Sequence, residues 1–132
     1  MSQFLKPFLV ALDGHPEVAD MIAESAEAEG FEAVALQDRR LIETTLAVAA
    51  ADVLVVDLDG ADRALAALSR RPEQERPPRV ILMTEVAISG SATPMGLAAD
   101  VVATLHKPLT AVGLTDALRE AFAAVRGDGT GR

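Results

Sequence analysis

The stretch Asp52 to Gly60 (DVLVVDLDG) limits what this chain can become more than any other. Four apolar residues, Val53 to Val56, run into the carboxylate of Asp57, and a turn containing Gly60 follows. A short apolar run bounded by turn residues reads as a strand buried on both faces, and such strands belong to parallel sheets. Open parallel sheets bind ligands beyond the carboxyl ends of their strands. Asp57 stands at such an end.

The remaining chain supplies the partners of that strand. Phe8 to Leu12 is apolar and closes on Asp13-Gly14-His15-Pro16, a strand followed by a loop. Pro16 suits the first turn of a helix, and Glu17 and Asp20 suit its positive end. Val18, Met21, Ile22 and Ser25 recur with helical spacing as the inward stripe, and Glu17, Asp20, Glu24 and Glu27 make an acidic, solvated outer face. Gly30 ends the helix as a C-terminal cap. Phe31 to Leu36 reads as a second, partly exposed strand. Asp38 caps a helix reaching about Ala50, with Leu41, Ile42, Thr45, Leu46 and Ala49 inward.

After the third strand comes a short helix, Ala61 to Ser69, and a polar, proline-bounded loop, Arg71 to Pro78. Val80 to Met83 is a fourth strand ending at Thr84. In Ile88 to Ala99 a helix is expected from topology, but Gly90, Pro94 and Gly96 oppose it, so that helix is expected to be short or mobile. Val101 to Leu105 is the fifth strand, followed by His106-Lys107-Pro108. Thr110 caps a last helix whose stripe is Leu114, Ala117, Leu118, Ala121, Phe122 and Val125. Residues 1–126 form one domain, and Gly127 to Arg132 is a glycine-rich tail or the start of a linker. Strands alternating with helices predict an α/β fold: a doubly wound, five-stranded parallel sheet with the flavodoxin-like order 2-1-3-4-5.

Composition excludes several functions. The 132 residues contain no cysteine, which removes disulfides and thiolate metal sites and suits a cytoplasmic protein. No stretch approaches the roughly 20 apolar residues of a membrane span, and the N-terminus does not read as a signal peptide. A net charge of −8 opposes direct nucleic-acid binding, which draws its affinity from Lys and Arg on phosphates. His15 and His106 have no partner at ligand spacing and read as loop or surface residues.

A parallel sheet gathers its carboxyl ends on one edge. There the chain places Asp13, Asp57 and Asp59, the hydroxyl of Thr84 and the ammonium of Lys107. Crowded carboxylates need a counter-ion, and Mg²⁺ takes oxygen ligands. A phosphoryl group would find positive charge and a hydrogen bond in the same place. Asp57 could itself be the nucleophile, since carboxylates form aspartyl phosphates. Each residue alone has a plain explanation: Asp13 as a turn residue, Thr84 as a common strand end. Lys107 is more specific, because a Lys at a buried strand end needs an anionic partner.

In these residues the chain resembles the receiver domains of two-component response regulators, which are CheY-like. The resemblance rests on Leu9-Val10-Ala11-Leu12-Asp13 with Pro16-Glu17-Val18, on Val53 to Asp57, on Val80 to Thr84 and on Leu105-His106-Lys107-Pro108-Leu109. It implies that Asp57 is the phosphoacceptor, served by a histidine kinase or phosphotransfer protein. It further implies that Thr84 is the switch hydroxyl, that Lys107 contacts phosphate, and that the metal site is Asp57, the backbone carbonyl of Asp59, and Asp13 reaching the ion through water. The implied output is a changed interaction with a downstream protein or effector domain, which the sequence does not name. Nor does the sequence say whether the chain forms a homodimer.

Departures from that pattern are informative. Receivers usually carry two adjacent acids after the first strand, and the second, by resemblance the direct metal ligand, is Gly14 here. Weakened Mg²⁺ binding and slower phosphorylation are expected. Thr104 replaces the usual aromatic switch residue. A degenerate receiver, working as a phosphorylation-independent interaction module, is the alternative. Asp57-Leu58-Asp59-Gly60 also resembles the first motif of haloacid-dehalogenase-type phosphatases, but their nucleophile strand comes first in the chain and this one is third. No enzymatic activity is expected.

Overall fold

The computed structural model describes residues 6–38, 40–48, 51–57, 78–85 and 101–129. The expected helix at Ala61 to Ser69, the loop from Arg71 to Pro77, the weak segment Ile88 to Ala99, and Asp59 lie outside these residues.

Five strands form one parallel sheet: β1 (Phe8–Leu12), β2 (Glu32–Leu36), β3 (Val53–Asp57), β4 (Arg79–Thr84) and β5 (Val101–His106). Their order is β2-β1-β3-β4-β5, as the alternation of elements predicted. Described helices are α1 (Pro16–Ala28), α2 (Leu41–Val48) and α3 (Ala111–Gly129). Alternation along the strands sends side chains to opposite faces. Leu9, Ala11, Val53, Val55, Ile81 and Met83 pack with Ile22 and Ala26 of α1 and with Leu114, Leu118 and Ala121 of α3. Val10, Leu12, Leu54, Val56, Val80 and Leu82 pack with Ile42 of α2. Val53 to Val56 are fully buried, as a strand covered on both faces requires.

Local signals explain the helix ends. Pro16 opens α1. Its far end is a Schellman turn: the Phe31 amide donates to the Ala26 carbonyl at 3.0 Å and the Gly30 amide to Glu27 at 3.1 Å. Gly30 has φ +104°, and a Cβ there would lie 2.9 Å from the Phe122 ring. Gly30→Ala is therefore expected to cost about 2 kcal/mol, from the left-handed backbone and the clash together, read as a lower urea midpoint at unchanged m. Thr110 caps α3 as predicted, its Oγ1 accepting from the Gly113 amide at 3.0 Å.

Two expectations need correction. Met21 and Leu41, assigned inward, are exposed. The buried stripe of α1 is Ala19, Ile22 and Ala26, turned by about one helical position from the expected one, which leaves Met21 on the exposed side. The last helix does not stop before Gly127 but continues to Gly129. Propagation adds a backbone hydrogen bond per residue, which offsets much of glycine's penalty, and Arg126 complements the negative end of the helix. His106, the final residue of β5, is exposed, which agrees with the loop-or-surface reading.

Candidate functional site

The strands converge on one edge as predicted. Asp13 directly follows β1, Asp57 ends β3, Thr84 ends β4, and Lys107 comes one residue after β5. Asp57 is half-buried, while Thr84 is buried. The Lys107 amide donates to the Thr84 carbonyl at 2.8 Å, which extends the β4–β5 pairing past the strand ends and holds these two residues together. The pairing contains a bulge: Val80 pairs with Val101 but Ile81 pairs with Ala103, so Val102 is an extra residue. This offset sets His106 opposite Thr84 and brings Lys107 to the edge.

Asp13 is the centre of the contacts. Its side chain is 1% exposed, and the Lys107 ammonium, itself 19% exposed, reaches its Oδ2 at 2.5 Å. Its Oδ1 accepts the His15 amide at 2.8 Å and lies 3.1 Å from His15 Nδ1. A carboxylate only accepts, so Nδ1 carries the ring proton in this contact (an assignment from chemistry), and Nε2 faces outward. Burial, the largest single influence, opposes the charge on Asp13. The Lys107 hydrogen bond, the His15 amide and ring, and the Lys107 charge together outweigh it and hold the carboxyl below its ordinary value.

Asp13 fills the turn reading given to it, and its second contact is an ion pair and not a metal contact. It makes a local turn through the His15 amide, and it binds a lysine 94 residues away. The prediction that Lys107 needs an anionic partner is met by Asp13. His15 was read as a surface histidine. Its ring is 75% exposed, yet its Nδ1 and amide both serve Asp13. The only signal for this in the sequence is its position two residues after an Asp, where a short turn places an amide over the carboxylate.

The residues expected at a magnesium site are Asp13, Asp57 and Asp59. Asp13 already receives three N–H donors, Gly14 offers no carboxylate, and Asp59 lies outside the described residues. Among the described residues no group of three or more His, Asp and Glu could hold a metal ion. The described donor set does not fit a magnesium site that includes Asp13.

No protein-family model matches the sequence, and no curated protein does. Solved structures do match. The chemotaxis response regulator CheY4 of Vibrio cholerae superposes with a TM-score of 0.71 at 20% identity, over 88% of this chain and 98% of that one. The chain has the receiver-domain fold. A CheY-like receiver domain protein from Methanospirillum hungatei gives a TM-score of 0.72 at 20% identity, over 92% of this chain and 98% of that one. A response regulator from Thermotoga maritima gives 0.68 at 16% identity, over 90% and 99%. At such identities the likeness concerns the receiver fold.

Proposed function

We propose that this chain is a response regulator receiver domain that accepts a phosphoryl group on Asp57 from a histidine kinase or phosphotransfer protein. The supporting observation is the convergence of Asp57, Thr84 and the Asp13–Lys107 pair on one sheet edge, with Lys107 held to Thr84 through its amide. In the transfer, an Asp57 carboxylate oxygen attacks phosphorus. The new P–O bond forms as the P–N bond of the donor phosphohistidine breaks, and the imidazole leaves with that electron pair. The Thr84 hydroxyl and the Lys107 ammonium are suited to a phosphoryl oxygen, one as a hydrogen-bond donor and the other as a charge.

Phosphorylation adds negative charge beside these residues and changes the surface a partner meets. The output is a switched interaction with a downstream protein or effector domain, in the cytoplasm, without direct contact to nucleic acid. It is a switch and not an enzyme. Mg²⁺ has at most a weak place in this reading. No helix among the described residues is long and apolar enough to cross a membrane.

The test is incubation with a small phosphodonor, with and without Mg²⁺, followed by intact-mass measurement. Wild type is expected to gain one phosphoryl group, and Asp57→Asn to lose labelling on the order of 100-fold or more. An unlabelled wild type that a cognate kinase also fails to label would sink the proposal. The second reading, a phosphorylation-independent interaction module, is favoured by Gly14 and by the three donors on Asp13. It predicts an unchanged partner affinity in Asp57→Ala.

A further inference from the structure

Asp13 and Gly14 together decide what neutralises this edge. Among the described residues an ideal Cβ on Gly14 meets nothing within 4 Å, and this glycine is not among those with positive φ. Neither packing nor backbone conformation requires a glycine there. What the glycine does is withhold a carboxylate. An ionised carboxylate has about four acceptor positions. On Asp13 three are occupied, two on Oδ1 by His15 and one on Oδ2 by Lys107. A divalent cation could reach Asp13 only at the one remaining position on Oδ2, beside an ammonium at 2.5 Å whose charge repels it and which it would draw off its carboxylate.

We infer that Asp13 is not a metal ligand in this chain, and that Lys107 and His15 supply from within the counter-charge and hydrogen bonds that the receiver resemblance assigns to Mg²⁺. This deepens the reading of the site as a receiver edge and rests on it. Gly14 is then the residue that sets metal sensitivity, by omission. One carboxylate at the end of β1 is engaged by Lys107 and His15, and the other was never installed.

The experiment is thermal unfolding of the whole chain across millimolar Mg²⁺ at constant ionic strength, for wild type, Gly14→Asp and Lys107→Ala. Wild type is expected to move by less than about 1 °C. Gly14→Asp is expected to gain about 5 °C once Mg²⁺ exceeds its dissociation constant about tenfold. Lys107→Ala, which frees Oδ2, is expected to be rescued in part by Mg²⁺. In nuclear magnetic resonance spectra the His15 amide and ring signals of wild type are expected to stay in place under the same titration. A wild type stabilised as much as Gly14→Asp, a Gly14→Asp that gains nothing, or His15 signals that move with Mg²⁺ would each overturn the inference. If Lys107→Ala does not fold, the other two proteins still decide. No phosphodonor enters this measurement, so failure of Asp57 to label would count against the proposed function and leave this result standing.

Discussion

Lys107→Ala is expected to lower the folding free energy by about 3 kcal/mol, because it leaves a buried carboxylate without its cation. Asp13 is 1% exposed with Lys107 in place, and water entering the space the lysine leaves replaces its charge only in part. Its remaining donors come from His15, which is mostly exposed and holds only Oδ1. Urea unfolding at neutral pH measures the loss as a lower midpoint at unchanged m. The double substitution Asp13→Ala with Lys107→Met should recover most of it, since removing both partners leaves no unpaired charge. That recovery separates the cost of an orphaned carboxylate from the loss of Lys107 packing.

Acid should erase the difference. The folded pKa of Asp13 is depressed below 3.8, so the group stabilises the fold fully above its unfolded pKa. As pH falls from there through the lower folded value, the contribution disappears. Wild type and Lys107→Ala should therefore begin to converge in stability as pH falls below 3.8 and meet only below the lower folded value of Asp13. A gap that persists unchanged at such pH would show that the ion pair is not its source.

Phe31→Ala is expected to cost about 4 kcal/mol, comparable in size but different in kind. Phe31 is fully buried between α1 and β2, and its ring meets Phe122 edge to face at 5.3 Å. Truncation removes apolar burial, an aromatic contact worth about 1 kcal/mol, and the hydrophobic residue that closes the Schellman turn. None of these contacts involves the carboxyl edge of the sheet. At a temperature where the variant is still folded, labelling of Asp57 should match wild type. Comparing its unfolding midpoint with its labelling rate separates loss of fold from loss of site. A Phe31→Ala protein that is folded yet unlabelled would tie the site to α1 packing in a way these contacts do not.

Much of the fold was legible in residue order. The strands were readable because apolar runs closed by turn residues have few other uses, and observed strand ends fall within a residue of the predicted ones. Gly30 and Thr110 were readable because left-handed backbone and helix N-caps select narrow residue types. Met21 and Leu41 were misplaced because hydrophobicity alone ranks a methionine above an alanine. The face turned to the sheet is set by how the helix docks, and it runs through Ala19, Ile22 and Ala26. His15 was missed because its role depends on a carboxylate oxygen's direction, which no periodicity encodes.

Asp57 illustrates where the division falls. Chain order and strand character by themselves determined that Asp13, Asp57, Thr84 and Lys107 would share one edge, because parallel strands put every carboxyl end on the same side. They also determined that Gly14 withholds a carboxylate, since that is a matter of residue identity. Only the tertiary structure decided which of these residues touch. The extra residue at Val102 offsets β5 and brings Lys107 beside Thr84, and the turn after β1 presents Asp13 to it across 94 residues of chain. A displacement of one strand position moves a side chain to the opposite face of a sheet. The Asp13–Lys107 pair therefore rests on register, which belongs to the assembled sheet and not to any one of its strands.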